Sequence, residues 1–70
     1  MQKGIQKNIH VLPHSGKGWA VKQSGAIKNS RLFEKQSDAI NFAKEGAKNR
    51  SSELFIHGRD GRIRERNTYG

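Results

Sequence analysis

Residues 37 to 50 constrain this 70-residue chain most, because they form the one stretch that reads plainly as a helix. At about 100° per position, Ala39, Ala43, Gly46 and Ala47 fall along the middle of one face, with Ile40 and Phe42 at its edges. Asn41, Lys44, Glu45 and Lys48 fall opposite. A stripe that is small at the centre and bulky at the margins suits a helix pressed onto a sheet, since small residues let backbones approach. Gly46 costs about 1 kcal/mol relative to Ala inside a helix, so a strand is expected to pass there too closely for a methyl group. Ser37 is the expected N-cap, with Asp38 at the positive end of the helix and Lys48 and Arg50 at the negative end.

The segments around the helix read as strands and turns. Ile9 and Val11 alternate with His10 and Leu12, and Pro13 should close that strand or lie at an edge. Residues 14–18 are a turn, and Trp19 and Val21 set a second strand over 19–23. A third, irregular strand is expected in 27–33, centred on 31–33. The run Leu54-Phe55-Ile56 makes 53–57 the most apolar strand, which implies burial on both faces or a self-association surface on one. Gly58-Arg59-Asp60-Gly61 turns the chain into a fifth strand over 62–66. A two-residue Asp60-Gly61 turn would gather His57, Arg59, Arg62, Arg64 and Arg66 on one face. A three-residue loop with Gly61 left-handed would shift the register by one and divide them. The expected fold is α+β, order β-β-β-α-β-β, with one helix packed on an antiparallel sheet. Residues 1–7 form a flexible start, and 8–70 a single domain. Candidate core residues are Ile9, Val11, Trp19, Val21, Ile27, Leu32, Phe33, Ile40, Phe42, Leu54, Ile56 and Ile63.

A chain this short buries only about 60% of its unfolded surface, so pairing with another copy or a partner would help it. There is no cysteine, which removes disulfides and thiolate metal sites and fits a reducing cytoplasm. The polar start, with Lys3 and Lys7, lacks the apolar run of a signal peptide, and no stretch is long enough to span a membrane. The expectation is a soluble cytoplasmic protein. Its net charge of +8 and pI near 10.5 favour polyanionic partners.

Motifs for chemistry are sparse. His10 and His14 are four apart, a helical spacing, but a strand and a turn lie there instead, and no carboxylate stands at ligand spacing. No metal and no cofactor are expected. The serines lie in turns and caps without a nucleophile-elbow pattern, and the six carboxylates are scattered. Gly16-Lys17-Gly18 lacks the frame of a phosphate loop, since Trp19 follows where Ser or Thr is needed. What remains is a basic second hairpin. Arginine forks match phosphate geometry, and a two-stranded ribbon can follow a nucleic-acid backbone.

The segment from Glu53 through His57-Gly58-Arg59-Asp60-Gly61 to Ile63 and the closing Thr68-Tyr69-Gly70 show a resemblance. Taken with His10-Val11-Leu12-Pro13-His14, Gly18-Trp19-Ala20-Val21-Lys22 and Ala39-Ile40, they resemble the small bacterial family catalogued as domain of unknown function 2188. The likeness runs from about Asn8 onward. It implies one small α+β domain and supplies no catalytic or binding residues. The expected role is therefore non-enzymatic binding of DNA or RNA, through Arg59, Arg62, Arg64, Arg66 and His57, with Lys17 and Lys22 extending the surface. The alternative is a protein-interaction module, either a homodimer or a partner for an acidic protein.

Overall fold

The computed structural model describes residues 8–16, 18–24 and 30–69. The expectations for the start at 1–7, for Lys17, and for 25–29 with Ile27 and Lys28 lie outside the described residues. The elements are β1 (Ile9–Pro13), β2 (Trp19–Gln23), β3 (Arg31–Phe33), α1 (Gln36–Arg50), β4 (Glu53–His57) and β5 (Ile63–Thr68). This is the expected order, and it forms a small α+β domain.

The strands lie side by side as β3-β2-β1-β4-β5. Here the expectation of a wholly antiparallel sheet is corrected. β1 pairs antiparallel with β2, and β4 with β5, but β1 and β4 run parallel. The cause is the helix. Antiparallel pairing of β1 with β2 and of β2 with β3 leaves β3 pointing the same way as β1, and α1 then carries the chain back across the sheet so that β4 starts from the same end. A helical crossover joins strands of like direction, whereas tight turns join opposed ones. The parallel pairing sets Ile9 beside Leu54, His10 beside Phe55 and Val11 beside Ile56.

The N-cap lies two residues earlier than expected. Lys35 occupies the N-cap position with extended backbone and no side-chain cap bond, so Ser37 lies inside the first turn. The Gln36 amide instead donates to the His57 carbonyl at 3.2 Å. At the other end Ser51 is left-handed (φ 52°, ψ 45°). The Ser51 and Ser52 N–H groups donate to the Lys48 and Ala47 carbonyls at 3.2 and 3.0 Å, the double closure that glycine usually makes. Ser52 is buried, and its hydroxyl has no hydrogen-bond partner among the described residues.

Ala39, Ala43 and Ala47 are fully buried against Ile9, Val11, Trp19, Val21, Leu54 and Ile56. Phe33, Ile40 and Tyr69 pack around this cluster. The close approach expected at Gly46 exists, since a Cβ there would stand 2.9 Å from Ile9 Cδ1. The obstruction is thus the tip of a side chain on β1, not strand backbone. Three expected core residues are instead exposed: Leu32, Phe42 and Ile63. Each lies at a margin, on an edge strand or at the rim of the helix stripe. Ala20, buried to 2% exposure, was not among the expected ones.

Candidate binding surface

Alternation along each strand decides which side chains meet the helix. Leu54 and Ile56 turn toward it and Phe55 turns away, so the apolar run in β4 is divided between two environments. The same alternation turns His10 and Lys22 to the uncovered side. Strand register then aligns Lys22, His10, Phe55 and Arg66 in one row across β2, β1, β4 and β5. The rings of His10 and Phe55 stack with centroids 5.1 Å apart and planes 19° apart. The Arg66 guanidinium lies 6.0 Å from the Phe55 centroid, and its Nε is 3.7 Å from Glu53 Oε1. Beside this row stand Leu32, Ala20 and Leu12 in register, with His57 and Ile63 opposite each other on β4 and β5.

His10 and His57, 47 residues apart, meet on this face. His10 Nδ1 is 3.2 Å from His57 Nε2, and the rings lie 5.4 Å apart, tilted by 37°. The outer nitrogens also have partners. His10 Nε2 is 2.9 Å from Ser24 Oγ, and His57 Nδ1 is 3.0 Å from the Gly61 carbonyl oxygen. Burial, then the neighbouring His57, then Lys22 lower the His10 pKa from its ordinary value. His14, the other half of the helical spacing seen in the sequence, is exposed at the first turn. Among the described residues no three His, Cys, Asp or Glu residues gather as a metal would require.

The hairpin tip resolves the two registers left open by the sequence. Gly58 N–H donates to the Arg62 carbonyl at 2.8 Å and Gly61 N–H to the Gly58 carbonyl at 2.9 Å. Gly61 has φ +84°, which favours glycine. The loop therefore holds three residues, and His57 pairs with Ile63. A shift between Ile56 and His57 then leaves Arg64 as the extra residue of a bulge, and Ile56 pairs with Glu65. The arginines are divided as a result.

Arg59 turns back to the first hairpin. Its guanidinium lies 4.4 Å from the Trp19 ring centroid and donates to the Gly16 carbonyl at 3.0 Å. This residue fastens the two hairpins together, which its place in a turn sequence does not reveal. Arg62 is almost wholly exposed, with Asp60 4.0 Å away. Arg64 is exposed beside Gly58, where an added Cβ would stand 3.3 Å from its Cγ and Cδ. Of the predicted contact residues, His57, Lys22 and Arg66 therefore share the uncovered face, and Arg62 and Arg64 flank it. Arg59 is engaged in holding the fold, and Lys17 lies outside the described residues.

The charge is also unevenly shared along the chain. Four arginines in 53–68 face three carboxylates, Glu53, Asp60 and Glu65, whereas residues 1–33 carry six lysines or arginines and no carboxylate. The excess positive charge thus comes mainly from residues 1–33, ahead of the helix, and not from the arginine-rich second hairpin. No helix among the described residues is long and apolar enough to cross a membrane.

Fold and surface together define a small basic α+β domain with one covered and one uncovered sheet face. The chain belongs to the bacterial family described as "Uncharacterized protein conserved in bacteria (DUF2188)", which matches residues 9–69. It is similar to "Uncharacterized protein YdaT" of Bacillus subtilis (strain 168), with 37% identity over 62 residues. That alignment covers 89% of this chain and 41% of the relative, so the chain spans less than half the length of that curated protein. No solved structure matches it.

Proposed function

We propose that this domain is a cytoplasmic binding module, not an enzyme, and that it takes nucleic acid on the sheet face turned away from the helix. The observation that supports this is the Lys22–His10–Phe55–Arg66 row, in which rings stand between two cations across four strands. A single strand laid along such a row would set phosphates against Lys22 and Arg66 and bases against the rings. Arg62 and Arg64, at the exposed end of the second hairpin, would reach further phosphates.

The test is a titration of labelled single-stranded DNA and RNA across a range of salt. Affinity should fall steeply as salt rises. Arg62→Glu with Arg64→Glu should weaken binding by about tenfold or more while the thermal midpoint stays unchanged. No binding of either strand at low salt would end this reading. A second reading, self-association, is favoured by the exposure of Leu32 (55%) and Ile63 (56%) on the same face. It predicts a dimer by light scattering at any salt, made monomeric by Phe55→Asp.

A further inference from the structure

We propose that His10 and His57 act as one proton-binding unit, which takes up a single proton on mild acidification and places one charge on the uncovered face. The link to ligand below rests on the nucleic-acid reading; the proton count does not.

The hydrogen bonds of the pair run outward from one fixed end. A carbonyl oxygen only accepts, so His57 Nδ1 carries the proton that it donates to Gly61. With His57 neutral, its Nε2 is then a lone pair, and His10 Nδ1 must donate to it across 3.2 Å. His10 Nε2 is in turn a lone pair, and the Ser24 hydroxyl donates to it. Both imidazoles are thereby fixed as Nδ1–H tautomers, and every ring nitrogen is satisfied with no charge present.

One proton fits this line without breaking it. It enters at His10 Nε2, and the Ser24 hydroxyl rotates from donor to acceptor. A second proton has no place. It would have to sit on His57 Nε2, facing the N–H of His10 at 3.2 Å, two donors and two like charges head to head.

The charged groups around the pair come from three strands. Lys22 on β2 stands opposite His10, Arg66 on β5 lies beyond the Phe55 ring, and Glu53 on β4 is engaged by Arg66. The uncharged Ile63 faces His57. Burial, His57 and Lys22 all hold His10 short of its ordinary proton affinity. A phosphodiester drawn in by Lys22 would offset that repulsion and favour the proton, and by linkage the proton would favour the phosphodiester.

Nitrogen-15 imidazole NMR on the full chain, between about pH 8 and pH 5, reads the unit directly. It should show two Nδ1–H tautomers at the upper end and uptake of one proton by the pair. Affinity for a single-stranded oligonucleotide at constant salt should rise about fivefold or more on acidification. The slope of log affinity against pH should not exceed one, the limit for one linked proton. His10→Gln with His57→Gln should flatten that slope whatever its affinity, with circular dichroism confirming that the variant folds. Two independent single-proton titrations, or an Nε2–H tautomer on His57 at the upper end, would overturn the unit. Binding with a flat slope in the unaltered chain would overturn the link. One proton taken up with no oligonucleotide bound at any pH would support the unit and defeat the nucleic-acid reading alone.

Discussion

The two faces of the sheet are built from the same strands and behave as different materials. Under the helix, Ile9, Val11, Val21, Leu54 and Ile56 meet three alanines, and none is more than 4% exposed. On the other side, one residue along each strand, stand His10, Lys22, Phe55 and Arg66, half-buried or exposed and held by rings and an ion pair. The first face gains its free energy from close packing, where a missing methylene leaves a void. The second is held by polar contacts open to solvent, which are individually weak and can be exchanged for a ligand. A strand of alternating character thus serves stability with one set of residues and leaves the other set free to vary in chemistry.

Adjacent residues offer the sharpest way to break that contrast. Leu54→Ala should cost about 2–5 kcal/mol and leave so small a domain largely unfolded, whereas Phe55→Ala should cost about 1 kcal/mol or less; thermal denaturation of the two variants decides. Equal losses would mean that the faces do not differ as described. The arginines give the next largest effect. Arg59→Ala should destabilise by about 1 kcal/mol, through its lost contact with Trp19 and the Gly16 carbonyl. Arg62→Ala should stay within about 0.5 kcal/mol. Denaturant midpoints for this pair would show whether the tip of the hairpin is structural at the first arginine only.

A smaller effect is expected at the helix end. Ser51 holds φ 52°, so Ser51→Gly should stabilise by roughly 0.5–1 kcal/mol, read as a raised thermal midpoint. The smallest concerns pH. The unfolded chain protonates His10 at the ordinary value of 6.5, and the folded chain does so only at lower pH. The unfolded state therefore binds more protons in the interval between those values. This contribution is complete above 6.5 and is lost as pH falls beneath it. Melting between about pH 7.5 and pH 5 should show the midpoint falling, and a rise would contradict the burial of His10.

The helix and its alanine stripe were legible in the sequence because helical periodicity is local. So was the element order, since turns and alternation are local too. The sheet's mixed direction was not, because it depends on where α1 delivers β4 after crossing the sheet. The meeting of His10 and His57 was hidden for the same reason. Each histidine looked like an ordinary strand residue until the parallel pairing set β1 beside β4. The register at Gly58–Gly61 was visible only as a pair of options, since sequence alone does not choose between a two-residue turn and a three-residue loop followed by a bulge. The role of Arg59 is not legible in the sequence, because nothing in a turn segment beside Asp60 points to Trp19, which lies 40 residues away.

The claim on which the rest turns is that ligand is received by the sheet face away from the helix. Backbone amide NMR during titration with a short single-stranded oligonucleotide tests it most directly. Shifts concentrated at His10, Lys22, Phe55, His57 and Arg66 are the predicted result. Shifts confined to the helix's outer residues, such as Lys44, Lys48 and Arg50, or no shifts at low salt, would contradict it.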